Sequence, residues 1–390
     1  MVGWGRRIIM AVLAIGKEGR MNVRENALAI YNGEQPDYYF DFMDSLALVP
    51  DPMMMADVCP KDGLEHKDTW GVTKIFPEGA PGAHPHITEE NKVLKDILDW
   101  REVVKAPPVK DLDWSVTKKV ADGVNRNEMF LGYFCPTGLF ERSHFLMGME
   151  DAFCAYLEEP EEMFDMLTMI KNYKLDCINE AAKQIHPDVI FYHDDWASKT
   201  NLFLPPDMWR EIIKPLQTEI ADCIHECGMI YVHHSDCYCA PIVEDMVELG
   251  IDIWQGVIPQ NPIPEIQERT RENCSHQLRM IGGIDGSALD IEHITEEEIR
   301  AAVRESLDRC LPGGYFYPAI PNGQCFREWN DGIVKDEMKR YGRQWAAEHP
   351  IGDVVIDTTG MDFSKAPEIA NQKPSDFFGN LQDEAEAARE

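Results

Sequence analysis

The stretch MIYVHHSDCYCAPIVEDMVELG, residues 229–250, decides how the whole chain is read. Ile230, Tyr231 and Val232 are a short run of β-favouring residues. It ends in His233, His234, Asp236, Cys237 and Cys239, side chains that handle metals and protons. Pro241 then opens a helical pattern that Gly250 closes, matching the preference for Pro in the first turn and Gly just after the last. A strand, a reactive loop and a helix are therefore expected in succession. Alternate strand residues share a face, so His234 and Asp236 should point together into the space above the strand end. Cys239 would precede a helix N-terminus, where a thiolate is favoured.

Working outward, the same grammar repeats. Runs at 129–134, 189–192, 251–254, 279–281 and 314–317 read as strands, and the patterns at 116–123, 149–158, 160–185, 206–227, 263–273, 296–310 and 328–348 read as helices. Single strands alternating with single longer helices imply parallel strands joined by crossovers. With the strand at 230–232 this half supplies six, so two more from the irregular first third would close a (β/α)8 TIM barrel of the α/β class. A doubly wound open sheet is the alternative, but no glycine-rich dinucleotide loop supports it. The expected organisation is an extension at 1–21, a single barrel domain at 22–350 with an irregular N-terminal segment, and an acidic tail at 351–390. The apolar run after Arg6 and Arg7 is too short to span a bilayer and no small-residue cleavage site follows it, so the extension reads as a disordered or start-site segment rather than a signal.

Composition excludes partners more firmly than it selects them. A formal charge of -32 over 390 residues argues against nucleic acid and anionic membranes, which require a concentrated positive surface. Eleven cysteines without a regular framework suit a reducing cytoplasm rather than a secreted disulfide scaffold.

In a barrel the chemistry collects at the C-terminal ends of the strands. Polar or special residues follow every expected strand there: Glu141 and Arg142, Asp194 and Asp195, His234 to Cys239, Gln255, Asp285, and Tyr317 to Cys325. Asp194 and Asp195 can act as acid, base or ligand, or else simply brace a turn. The mixed His, Asp and Cys cluster suits Zn²⁺ with an open position, with Cys325 and Glu141 as candidate further ligands, although satisfied His and buried Cys are the plainer reading. Trp196 and Trp254 can wall an apolar pocket or belong to the core.

The segments DDWASKTNLFLPPDMWREIIKPLQTEIADCIHECG, HSD with APIVEDMVELGID, MIGGID and PGGYFY, in this order and spacing, resemble the uroporphyrinogen decarboxylase superfamily from about residue 22 to 343. The superfamily contains the decarboxylase of haem synthesis and cobamide-dependent methyltransferases, and the resemblance implies a (β/α)8 barrel with its site at the strand C-termini. The decarboxylase resembles an arginine-bearing signature near its N-terminus, whereas here no Arg lies between Arg24 and Arg101, which disfavours a substrate with eight carboxylates. The thiol-methylating branch carries zinc through His-x-Cys and a distant Cys; here His234-Ser235-Asp236 puts Asp in the Cys position, with Cys237 one residue later. A harder ligand suits activation of oxygen, so the resemblance implies an O-demethylase-like methyltransferase. It would move a methyl group between a small, methoxylated or methylated molecule and a cobamide held on a corrinoid-binding partner protein. The roles implied are catalysis for Asp194, Asp195 and His234, and zinc ligation for His234, Asp236, Cys237 and Cys325. Substrate contact falls to Glu141, Trp196, Gln255, Asp285 and Tyr317. Uroporphyrinogen decarboxylation and a non-catalytic ligand-binding barrel are the competing readings.

Overall fold

The computed structural model describes residues 20–351 apart from 50 and 81. The expected extension and acidic tail therefore lie almost wholly outside the described residues. Ten strands run in chain order: β1 (Leu46–Val49), β2 (Glu65–Lys67), β3 (Thr73–Ile75), β4 (His84–Pro85), β5 (Phe130–Cys135), β6 (Val189–His193), β7 (Ile230–His234), β8 (Ile253–Val257), β9 (Arg279–Gly283) and β10 (Phe316–Ala319). Seven of them form one sheet in the order β1-β5-β6-β7-β8-β9-β10, and every neighbouring pair is parallel. The side chains of β5 to β10 are almost all buried on both faces, while β1 at the edge leaves Leu48 exposed; this explains why β5 and β6 read FLGYFC and VIFYH without polar alternation.

The first third contributes one strand to this sheet rather than the expected two. Its remaining strands, β2, β3 and β4, pair antiparallel in a separate small sheet. Instead of an eighth strand, the segment before β1 packs against β10 at one edge of the sheet and against β5, the strand next to the other edge. Tyr317 Oη on β10 donates to the carbonyl of Ala27 at 2.7 Å, and the Phe42 ring lies 5.0 Å from Tyr317 and 5.7 Å from Phe130 on β5. The architecture is thus an α/β sheet of barrel type with seven strands and a side-chain seam.

The long helices match their sequence patterns. Pro160–Ile185 and Pro206–Glu226 each begin on a Pro that is free to sit in the first turn, and Glu296–Cys310 begins on a Thr295/Glu298 capping box. The pattern after β7 is shorter than expected: Ala240–Ile242 is a single 3-10 turn and the α-helix covers only Val243–Glu248. No helix among the described residues is long and apolar enough to cross a membrane.

The last two long helices, Glu296–Cys310 and Glu328–Glu348, are clamped by a buried carboxylate. Glu337 accepts from Arg300 Nη1 at 2.8 Å, Arg304 Nη1 at 2.9 Å and Arg340 Nε at 2.9 Å. Burial pushes the Glu337 carboxyl upward, but the three guanidinium groups outweigh it and hold it down at about 2, from an ordinary 4.5. A carboxyl depressed in the folded state stabilises fully above its unfolded value and loses that contribution as pH falls through the folded one. Glu337→Gln should therefore lower stability by about 3 kcal/mol at neutral pH, the lower end of the cost of a broken buried pair, since the three guanidinium groups are partly exposed. It should also flatten the wild-type loss of stability between about pH 4.5 and 2, as read by urea unfolding across that range; parallel wild-type and variant curves would contradict the clamp.

Candidate active site

Parallel register builds the site. His193 on β6 pairs with His234 on β7, which pairs with Gln255 on β8, so three side chains at successive strand ends share one face. The two imidazoles stack with centroids 4.2 Å apart. Past the strand ends, Asp195 and Asp236 join them in a cavity of about 540 Å³. The Asp236 backbone N–H donates to Asp195 Oδ1 at 3.0 Å, tying the two loops together.

Each imidazole is oriented by a partner on its Nδ1. His193 Nδ1 meets Glu141 Oε2 at 2.8 Å, and His234 Nδ1 bonds Gln255 Oε1. The Gln255 amide orientation follows from its Nε2, which donates to the Pro321 carbonyl at 2.9 Å. Gln255 therefore presents only an acceptor to His234, which places the proton on Nδ1 and the lone pair on Nε2. A ligand atom from each of His193, His234 and Asp195 lies within 4.8 Å of the others. Two imidazoles and one carboxylate, with the other ring nitrogens held by a carboxylate and an amide, are a donor set that fits Zn²⁺ or another first-row divalent cation.

Electrostatics separates the two rings. Burial opposes a charge on His193, but Glu141, Asp195 and Asp194 outweigh it and raise the ring to about 9. His234 is held down at about 4 by burial and by the charge of His193, against the pull of Asp195 and the bond to Gln255. Burial, aided by the Asp195 charge, raises Asp236 to about 6. Burial lifts Asp41, which lines the same cavity, to about 7.

Residues adjacent in sequence to this group face the opposite way and build its frame. His233 is fully buried, with Nδ1 accepting from Tyr231 Oη at 2.8 Å and Nε2 donating to the Asp194 carbonyl at 3.2 Å. Asp194 is also fully buried and does not reach the cavity. Its carboxylate accepts from the backbone N–H of Phe140 at 3.1 Å, of Glu141 at 2.9 Å, and from Trp196 Nε1 at 2.9 Å. Burial lifts this carboxyl to about 7, with the Glu141 charge adding and the donors opposing. It pins the first turn of the helix Leu139–Met147, from which Glu141 reaches His193. Gly138 permits this contact, because a Cβ there would fall 2.2 Å from Asp194 Cβ.

Several residues singled out from sequence are therefore placed elsewhere. Trp196 stacks on His233 at 4.0 Å and is core, not cavity wall; Trp254 is likewise buried, donating to the Ser235 carbonyl. Cys237 is sequestered: its sulfur bonds Ser235 Oγ at 2.7 Å and lies 3.7 Å from Cys239, and burial raises its thiol well above the usual range. Cys239 does directly precede a helical turn, Ala240–Ile242, but is fully buried beside Cys237. Cys325 is buried near the Gly286 carbonyl, and burial pushes it up to about 11. Asp285 caps the short helix Gly286–Leu289, and Tyr317 belongs to the seam. Of the sequence-derived set, Asp195, His234, Asp236 and Gln255 line the cavity, and Glu141 supports it from behind.

The residue that sequence reasoning misses is His193. The apolar run stops at Tyr192, but alternation carried one step further puts His193 in phase with Phe191, which also lines the cavity. Asp41, Asp44 and Lys335 complete the rim; the two Asp come from a segment without a periodic signal, and Lys335 from the expected helix at 328–348, whose period does not reveal what it faces.

Comparison with known proteins follows this geometry. The family model described as Uroporphyrinogen decarboxylase (URO-D) matches residues 81–317. Among solved structures, a methyltransferase from Methanosarcina mazei superposes with a TM-score of 0.55 at 15% identity, over 83% of this chain and 99% of that one. At that identity the likeness is one of fold. A type I 3-dehydroquinate dehydratase from Clostridium difficile overlaps with a TM-score of 0.29 at 12% identity, over 58% of this chain and 77% of that one, too loosely to bear on the site. No curated protein matches the sequence significantly.

The cavity geometry and the cysteine-based set share His234 but differ in their other zinc ligands. His193→Ala and Asp195→Ala should each weaken Zn²⁺ binding by about 100-fold, while Cys237→Ser and Cys325→Ser leave it within about twofold. Competition against a chromophoric chelator measures this directly, and the reverse pattern would refute the His-Asp-His assignment.

Proposed function

Because the chain belongs to the uroporphyrinogen decarboxylase family, we propose that it is a methyltransferase of that family, moving a methyl group between a small molecule and a cobamide on a corrinoid-binding partner. The observation that carries this reading is the convergence of His193, His234 and Asp195 at the ends of adjacent strands, with both Nδ1 atoms engaged from behind. When bound, a Zn²⁺ ion on these three residues supplies Lewis acidity to the heteroatom that carries the methyl group, and the partner's cobamide supplies the nucleophilic cobalt.

The chain's own part is positioning. Glu141 and Gln255 fix the two imidazoles, so that their Nε2 atoms are presented without rearrangement. Asp236 lies beside Asp195 on the same wall and is placed to hydrogen-bond the leaving oxygen or nitrogen of a substrate. Phe191, Met43, Ile320 and Met338 supply apolar surface that seats a small ring and excludes water.

Charge separates this reading from decarboxylation of a tetrapyrrole bearing many carboxylates. The cavity is lined by four carboxylates, Asp41, Asp44, Asp195 and Asp236, against two cations among the described residues, Lys335 and the His193 ring. A polyanion entering it would meet net repulsion, whereas a neutral methyl donor or a divalent cation does not.

The test is a panel of methoxy, methylamino and methylthio donors offered with cob(I)alamin, following the change in cobalt absorbance. Transfer from at least one donor is expected, falling about 100-fold in His234→Ala while circular dichroism is unchanged. No transfer across the panel, turnover unaffected in His234→Ala, or decarboxylation of uroporphyrinogen would overturn the assignment.

A further inference from the structure

A second cavity of about 460 Å³ has Glu141 and His193 in its wall, sharing the His193 ring with the first, but the rest of its lining is different. Its walls are aromatic and thioether groups, chiefly Trp70, Phe134, Phe145, Tyr173, Met53 and Met54. Three cations, Lys74, Arg142 and Lys174, line it as well. In a chain of formal charge -32, three cations gathered in one pocket, beside the acids Asp51, Asp57 and Glu141, are the feature to be explained.

The cations are not fully consumed by neighbouring acids. Arg142 and Lys174 are each 4% exposed. Arg142 Nη1 donates to Asp68 Oδ2 at 3.0 Å and the guanidinium packs over the Trp70 ring, but its Nε and Nη2 have no partner among the described residues. Lys74 shares the same Asp68 oxygen at 3.4 Å, and Lys174 donates to the Pro136 carbonyl rather than to a carboxylate. The acids on the wall are engaged elsewhere. Glu141 holds His193, Asp51 accepts the N–H of Met54 and caps the helix Pro52–Ala56, and Asp57 accepts the N–H of Thr69 at 2.7 Å. The two thiols on the wall, Cys135 and Cys177, are pushed up by burial, Cys177 to about 12, so the cavity is built to bind rather than to attack.

We infer that this second cavity is a binding site for a small aromatic carboxylate, its flat apolar body held between the aromatic and Met side chains and its carboxylate by Arg142 with Lys74 and Lys174. A planar guanidinium with free donors is the group that matches a carboxylate fork, and a volume of this size accepts a single ring with its substituents. The site shares only the His193 ring with the first cavity, and it stands whether or not methyl transfer is the reaction there.

Calorimetric titration of the full chain with benzoate and phenylacetate tests it, with benzylamine as the cationic counterpart of the same size. Binding of at least one acid and none of the amine is expected, unchanged after treatment with EDTA. Met54→Trp, which fills the cavity without removing a charge, and Lys74→Gln, which removes the most accessible cation, should each weaken that binding by about tenfold or more. The assignment is overturned if neither acid binds, if benzylamine binds as well, if Met54→Trp leaves the affinity unchanged, or if EDTA abolishes binding and so transfers it to the metal-binding group.

Discussion

The in-register pairing of His193, His234 and Gln255 across three parallel strands is the constraint on which the rest of the site depends. Side chains on a strand alternate with a period of two, so a slip of one residue in any of these strands would turn its functional group outward and its packing group inward. The register is held by contacts just above the strand ends. Ser235 N–H donates to the Gln255 carbonyl, Trp254 Nε1 donates to the Ser235 carbonyl, and Asp194 N–H donates to the His234 carbonyl. At Gly256, with φ of 96°, the strand bulges, and a Cβ there would lie 2.9 Å from the Asp236 backbone, so the loop that carries Asp236 can sit directly over β8.

The same alternation divides labour between neighbours. His233 and Asp194 look outward and brace the layer of helices; His234 and Asp195 look into the cavity. The outward pair matters to the inward one. Asp194 fixes the start of the helix that carries Glu141, and Glu141 fixes the His193 ring, so a buried carboxylate with no access to substrate sets the geometry of a group that has it. Buried carboxylates that accept several hydrogen bonds are well suited to such a role, since their acceptors are hard to satisfy in any other arrangement.

Much of this was legible in the amino-acid sequence, because strand–helix alternation from residue 129 onward is a strong periodic signal and the polar residues that follow each strand mark the functional end. The stretch at 229–250 correctly brought His234 and Asp236 to one wall. Three things were not legible, each for a physical reason. Only one main-sheet strand arises from the first third, because the seam is made by Tyr317, Phe42 and the Ala27 carbonyl, contacts between residues far apart in sequence. The cysteines beside His234 look like ligands, but whether a thiol faces a cavity or a serine hydroxyl depends on the path of a loop, which has no period. Asp194 and Asp195 are chemically identical and adjacent, and with the apolar run stopping at Tyr192 the alternation does not visibly reach them; the approach of Gly138 and the helix start then hold Asp194 as the structural one.

The direct measure of the central claim is X-ray absorption at the zinc edge on zinc-loaded protein. The structure predicts a first shell of nitrogen and oxygen donors alone, at about 2.0 Å, with the outer-shell scattering of two imidazoles. A sulfur shell at about 2.3 Å would contradict it and return the cysteines to the site.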